Sequence, residues 1–162
     1  MGFEDKVLSR EINHILYEQQ KTLATAESCT GGAVAQAIIS APGASMYFKG
    51  GVVAYTNEVK INLLNVPAKV IEEKTAVSEE VAVAMVKGVI EACRTDYAVA
   101  VTGTAGPGGG TNEIPVGTIW IACGTKDNIK TFKQSEDDGR DINLAKATSR
   151  ALQMVLEMIQ AK

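Results

Sequence analysis

Tyr97-Ala98-Val99-Ala100-Val101-Thr102, running straight into Gly103-Thr104-Ala105-Gly106-Pro107-Gly108-Gly109-Gly110-Thr111, decides the fold. A short, uninterrupted apolar run bounded by turn residues is the pattern of a strand buried on both faces, in the middle of a sheet covered by helices. Upstream of it, Ser78 caps a helix reaching about Cys93, with Glu79 and Glu80 at the positive end of its dipole, and Pro67 suits the first turn of a short helix over 67–73. Further back, Gly51-Val52-Val53-Ala54-Tyr55 reads as a buried strand that stops at Thr56-Asn57-Glu58, with Lys60 just beyond. Thr22 to Ala26 reads as another strand, entering a helix over 30–39 through Ser28-Cys29. An amino-terminal helix turns Val7, Leu8, Ile12, Ile15 and Leu16 to one side. Downstream, Val116 to Cys123 and Ile129 to Gln134 read as a hairpin across residues 124–128. Asn143 to Gln160 closes the chain as a helix with Leu144, Ala147, Ala151, Leu152, Val155 and Ile159 inward. The expectation is one α/β domain over residues 1–162, layered, with a partly antiparallel sheet edge.

Composition narrows the function classes. The 162 residues are 46% hydrophobic and 22% charged, the balance of a soluble globular domain. A net charge of −3 offers no basic field for nucleic acid. No run of 18 apolar residues and no signal-peptide pattern points to a membrane, and Cys29, Cys93 and Cys123, odd in number and scattered, suit a reducing cytoplasm. A lone histidine, His14, leaves neither a metal cluster nor a Ser-His-Asp or Cys-His arrangement, so no metal is expected.

Two segments depart from what packing alone would select. Glu27-Ser28-Cys29-Thr30-Gly31-Gly32 puts a hydroxyl at a strand's carboxyl end beside backbone N–H groups, where an anion or oxyanion could sit; the alternative is that Ser28 or Thr30 merely caps the helix. The loop after Thr102 holds five of the 15 glycines. Its amides could form a nest for phosphate or ribose, although it is neither a P-loop nor G-x-G-x-x-G; the alternative is a flexible loop with no ligand. With histidine scarce, lysine is the remaining conventional base for a hydroxyl. Lys60 is the best placed, and a solvated lysine is the alternative reading.

Thr25 to Gly32, Gly50 to Lys60, Ala76 to Val81 and Val101 to Thr111 together resemble the CinA carboxy-terminal domain family, whose enzymatic members are PncC-type nicotinamide-nucleotide amidases. The resemblance extends from about Leu23 to Ala151. It implies a three-layer α/β/α sandwich with a mixed, mostly parallel sheet. It also implies hydrolysis of nicotinamide mononucleotide to nicotinate mononucleotide and ammonia, in bacterial pyridine nucleotide salvage, without a cofactor. The family's catalytic serine, tyrosine and lysine fall on Ser28, Tyr55 and Lys60, with Tyr55 expected to bond within the dyad and relay the proton. Backbone amides around Thr30, Gly31 and Gly32 are the expected oxyanion hole. Thr102, Gly103, Gly106, Gly108, Gly109, Gly110 and Thr111 are the expected ribose-phosphate contacts. Departures from the family pattern at Thr104, Ile114 and Asp138-Gly139-Arg140 bear on substrate contacts. Many relatives carry an added amino-terminal domain, which a chain of this length does not accommodate. The partner expected is the small nucleotide, with no nucleic acid or membrane and a homo-oligomer left open. Two alternatives stand beside the amidase: a non-catalytic nucleotide-binding or stress-linked protein on the same fold, and a Ser-Lys amidase of another small substrate.

Overall fold

The structure, a computed structural model, describes residues 1–161. In chain order it contains α1 (Phe3–Gln19), β1 (Leu23–Glu27), α2 (Ala33–Ile39), a 3-10 turn (Ala44–Met46), β2 (Phe48–Val53), α3 (Asn57–Leu64), α4 (Ala68–Lys74) and α5 (Glu79–Cys93). It continues through β3 (Tyr97–Gly103), β4 (Ile119–Gly124) and β5 (Ile129–Gln134) to α6 (Arg140–Gln160). The five strands form one sheet in the order β2-β1-β3-β4-β5. Strands β2, β1 and β3 are parallel, and β4 and β5 add an antiparallel edge, so four of the five strands point the same way.

Alternation along the strands divides the core in two. Leu23, Val99, Val101, Ile119 and Ile121 face the layer built from α1, α2 and α6. The opposite face presents Ala24, Ala26, Ala98, Ala100 and Ala122, with Ala24 beside Ala98 and Ala26 beside Ala100 in register. Against this floor of small side chains lie Val81, Met85, Val86 and Val89 of α5, which supply the bulk that the strands lack. The result is the expected three-layer α/β/α sandwich. Among the described residues no helix is long and apolar enough to cross a membrane.

The structure differs from the sequence reading in several places. Val7 faces solvent, at 41% exposure, because α1 buries only the narrow stripe of Asp5, Ser9, Ile12 and Leu16. Residues around Lys60, read only as following a strand, form α3: Thr56 caps it by accepting the Val59 N–H at 3.3 Å, and left-handed Asn65 ends it. Pro67 is the cap of α4 rather than its first turn. β2 is an edge strand, pairing with β1 alone and burying alternate residues, rather than the fully buried strand its composition suggested; Ala54 and Tyr55 lie beyond its end.

Chain order determines where a site can form. From β1 the chain passes through α2 to β2 on one side, and from β2 through α3, α4 and α5 to β3 on the other. The carboxyl ends of these three parallel strands therefore surround a switch point, the crevice in which open α/β sheets bind ligands. Gly88 sets how closely α5 meets α3, since a Cβ there would stand 1.9 Å from the Leu64 carbonyl oxygen. Helix propensity favours alanine over glycine by about 1 kcal/mol, but overpacking against fixed backbone costs about 1–3 kcal/mol. Gly88→Ala is therefore expected to lower the urea unfolding midpoint; an unchanged or higher midpoint would show that α3 shifts freely.

Candidate active site

All three expected catalytic positions sit at the carboxyl ends of β1 and β2. Ser28 follows β1 directly, its N–H donating to Val101 O at 2.9 Å, which continues the β1–β3 ladder by one residue. Lys60, on the first full turn of α3, is 1% exposed and reaches back over the end of β2. Its Nζ lies 2.9 Å from Ser28 Oγ, 2.9 Å from Ala54 O and 3.5 Å from Tyr55 O. The Ser28 hydroxyl also donates to Tyr55 O at 3.4 Å.

Among the described residues no carboxylate is bonded to Lys60, and burial holds its pKa below the ordinary lysine value of 10.5. This environment eases loss of the ammonium proton relative to an exposed lysine. Two N–H bonds of the free base have the Ala54 and Tyr55 carbonyls as acceptors, and the lone pair is left for the serine proton.

Helix α2 explains why Ser28 is free to react. Neither Ser28 nor Thr30 caps it. The buried Glu27 carboxylate, projecting from the last residue of β1, accepts from the N–H groups of Gly32 (3.2 Å), Val34 (2.9 Å) and Ala35 (3.0 Å). A strand residue thus satisfies the helix end, and Gly31 and Gly32, at φ 59° and 104°, turn the chain between them.

This changes which amides remain for an oxyanion. Gly31 N–H donates to Ser28 O at 3.1 Å and Gly32 N–H to Glu27, so neither is available as expected. The Cys29 and Thr30 N–H groups donate to no oxygen of the chain among the described residues, and the Thr30 hydroxyl is buried without a partner. Cys29 lies beside Ser28, but burial pushes its thiol up to about 11, which leaves it protonated at neutral pH.

Tyr55 enters through its backbone. Its carbonyl serves the dyad, whereas its side chain is 59% exposed and its hydroxyl bonds to neither Ser28 nor Lys60. Tyr55 lines a cavity of about 250 Å³ together with Ser28, Cys29, Gly103, Thr104, Ala105, Gly106, Gly108 and Arg140. Of the expected loop contacts, Gly103, Gly106 and Gly108 reach this cavity, and Gly109, Gly110 and Thr111 do not. Gly110 packs on Val116, and Thr111 closes a turn with Ile114. Thr102 faces the other way, its hydroxyl donating to Ala76 O at 2.8 Å and tying β3 to the segment before α5.

Two residues that the sequence reading did not assign shape the far wall. Arg140, the first residue of α6, donates to Gly106 O at 2.8 Å and places the one charged head among the cavity's lining residues. Asn143, wholly buried, donates to Ala105 O and Asp137 and accepts from the Asp138 N–H, locking the glycine loop to the start of α6. His14 is remote, on the exposed face of α1 beside Glu18. A larger open groove of about 820 Å³ is lined by residues of α5 together with Leu64 and Ile129; its hydroxyl–carboxylate pair, Thr131 donating to Glu79 at 2.6 Å, is exposed, unlike the buried pair of Lys60 and Ser28.

Fold and site together define a serine-lysine centre at the switch point of an α/β sandwich. The CinA C-terminal domain family matches residues 5–159, and the chain belongs to that family. CinA-like proteins of Desulfotalea psychrophila and Cytophaga hutchinsonii are 44% and 40% identical to it, over 88% and 98% of this chain. The chain spans 35% and 38% of their length, about a third. A competence/damage inducible protein of Agrobacterium tumefaciens superposes with a TM-score of 0.94 at 36% identity, covering 99% of this chain and 98% of that one. A CinA superfamily protein of Escherichia coli gives 0.91 at 34%, covering 97% and 92%.

Two expectations follow from the buried charges. Glu27→Gln keeps the shape but turns an amide donor toward backbone donors, so it should cost about 1–3 kcal/mol in chemical denaturation; a stability equal to wild type would remove the clamp from the account. For Lys60, the folded pKa is lower than the unfolded one, so between the two the unfolded chain binds the extra proton and stability rises with pH. The stability of the wild type relative to Lys60→Met should therefore improve as pH is raised toward 10.5, measured by urea unfolding at two pH values. A flat difference would place the proton elsewhere.

Proposed function

We propose that this domain hydrolyses the carboxamide of nicotinamide mononucleotide, releasing nicotinate mononucleotide and ammonia, with Ser28 as nucleophile and Lys60 as base. The observation that carries the reading is a buried lysine without a carboxylate partner, 2.9 Å from a serine oxygen that lines an open cavity. Neutral Lys60 accepts the Ser28 proton as Oγ attacks the amide carbon, and the ammonium thus formed is steadied by the Ala54 and Tyr55 carbonyls. Negative charge developing on the carbonyl oxygen is directed to the free N–H groups of Cys29 and Thr30. Lys60 then gives its proton to the leaving nitrogen, which departs as ammonia and leaves an ester on Ser28. Water, deprotonated by the same amine, hydrolyses that ester to the carboxylate and restores the hydroxyl.

The cavity is smaller than the about 300–1,000 Å³ usual for small-molecule sites, so the reacting ring fills it and the ribose phosphate extends over the rim. There Arg140 and the loop amides at Gly106 and Gly108 supply a cation and donors for the phosphate. With Glu27 already occupying the α2 amino terminus, that helix offers the phosphate little.

Incubation with nicotinamide mononucleotide should yield ammonia and nicotinate mononucleotide in equal amounts, and Ser28→Ala should abolish both. Turnover surviving in Ser28→Ala would sink the mechanism. The rate kcat/KM should rise with pH through a value below 10.5, where Lys60 loses its proton, and Lys60→Arg, which stays charged, should be nearly inactive. The mononucleotide should exceed nicotinamide riboside in kcat/KM by at least about tenfold, roughly 1.4 kcal/mol, and Arg140→Gln should erase most of that ratio. Equal efficiency of the two in the wild type would separate Arg140 from phosphate.

A further inference from the structure

Tyr55 holds two positions at once. Its carbonyl points into the dyad, so its backbone is fixed by Lys60 and Ser28, and its side chain is left outside. Lys60 has its acceptors without the phenol, and no hydrogen bond links the hydroxyl to the dyad. An aromatic residue, 59% exposed, is thereby placed in the lining of the cavity. Its neighbours in that lining include glycines, which add no side chain, and a Cβ built on Gly108 meets nothing within 4 Å. A lining that combines an exposed aromatic residue with side-chain-free backbone suits a flat ligand.

We infer that Tyr55 serves the reaction with the face of its ring rather than with its hydroxyl, as the stacking wall that recognises a flat, positively charged heteroaromatic ring. The inference rests on the amidase reading, which supplies such a ring: the pyridinium of nicotinamide mononucleotide carries its charge beside the carboxamide to be cleaved. The negative face of a tyrosine attracts a cation that lies over it, and the attraction strengthens as water leaves the cavity. Stacking also orients the carboxamide, holding its carbon toward Ser28 Oγ. Tyr55 is thus a specificity-determining residue that reads charge and planarity, while the proton passes between Ser28 and Lys60 alone.

The test uses the full chain. With nicotinamide mononucleotide, Tyr55→Leu should raise KM about tenfold and leave kcat within a few-fold, and Tyr55→Phe should rescue the KM that leucine loses. In the Ser28→Ala background, calorimetry should show the cationic mononucleotide binding about tenfold tighter than its uncharged dihydropyridine form, a ratio that collapses when Tyr55→Leu is added. If Tyr55→Phe loses kcat as deeply as Tyr55→Leu while the wild type turns over, the hydroxyl is the working group and the inference is overturned with the amidase reading intact. If the charge preference survives Tyr55→Leu, the ring is not the reader and the inference is again overturned. A wild type that binds the mononucleotide without cleaving it defeats the amidase reading, and the binding ratio still decides the role of the ring. Absence of both binding and turnover overturns both.

Discussion

An amine buried without a carboxylate to answer it is the constraint on which the rest of the site depends. Water would hold Lys60 protonated, and a neighbouring acid would do the same; the structure supplies neither. What it supplies are the carbonyls of Ala54 and Tyr55, which become free because β2 stops at Val53 and the chain turns before α3 begins. The cap at Thr56 fixes the phase of α3 so that its fourth residue points back over the strand end. Strand length, turn and helix cap thus act together on one nitrogen atom.

Glu27 has a complementary part. By saturating the amino terminus of α2 it frees Ser28 from capping duty and keeps the tight turn through Gly31 and Gly32 in shape. It also removes the most obvious anion site beside the nucleophile, so that cationic character shifts across the cavity to Arg140. The carboxylate is accordingly a divider, separating the amino terminus of α2 from the part of the cavity lining that carries the Arg140 cation. Asn143 completes the far side: its side-chain amide ties the glycine loop to the 137–138 turn, and its backbone carbonyl accepts from Gln134 at the end of β5.

The central strand at 97–102, the long helices and the hairpin were legible because each carries an uninterrupted periodic signal. Helix α3 was less so: Asn-Glu-Val-Lys-Ile-Asn-Leu-Leu is short and buries chiefly Lys60 and Leu64, and only the Thr56 cap announces it. The exposure of β2 could not be read from Gly51 to Tyr55, because it follows from strand order and not from composition. The juxtaposition of Ser28 and Lys60 came from the family resemblance, since spacing alone left a capping serine and a solvated lysine open. Glycines 109 and 110 lie outside the cavity lining, which the sequence could not show because it displays a glycine's freedom without its purpose, and Gly110 is required by the approach of Val116. Arg140 stood in the sequence only as part of a departure from the family pattern, because the carbonyl it holds, Gly106 O, lies 34 residues away, and the role of Asn143 depends on Ala105, 38 residues away, as well as on the local 137–138 turn.

The two members of the dyad hang from opposite layers of the sandwich. Ser28 rides on the turn into α2, which packs with α1 and α6, whereas Lys60 rides on α3, which packs with α5 over the floor of alanines. The 2.9 Å between them is therefore a strain gauge for the registry of the two layers. A slip of about 1 Å along the smooth alanine surface would carry the pair beyond hydrogen-bond reach while leaving every strand paired. The Ser28–Lys60 contact in such an architecture is a more fragile property than the fold, set by the friction between layers as much as by the two residues that make it.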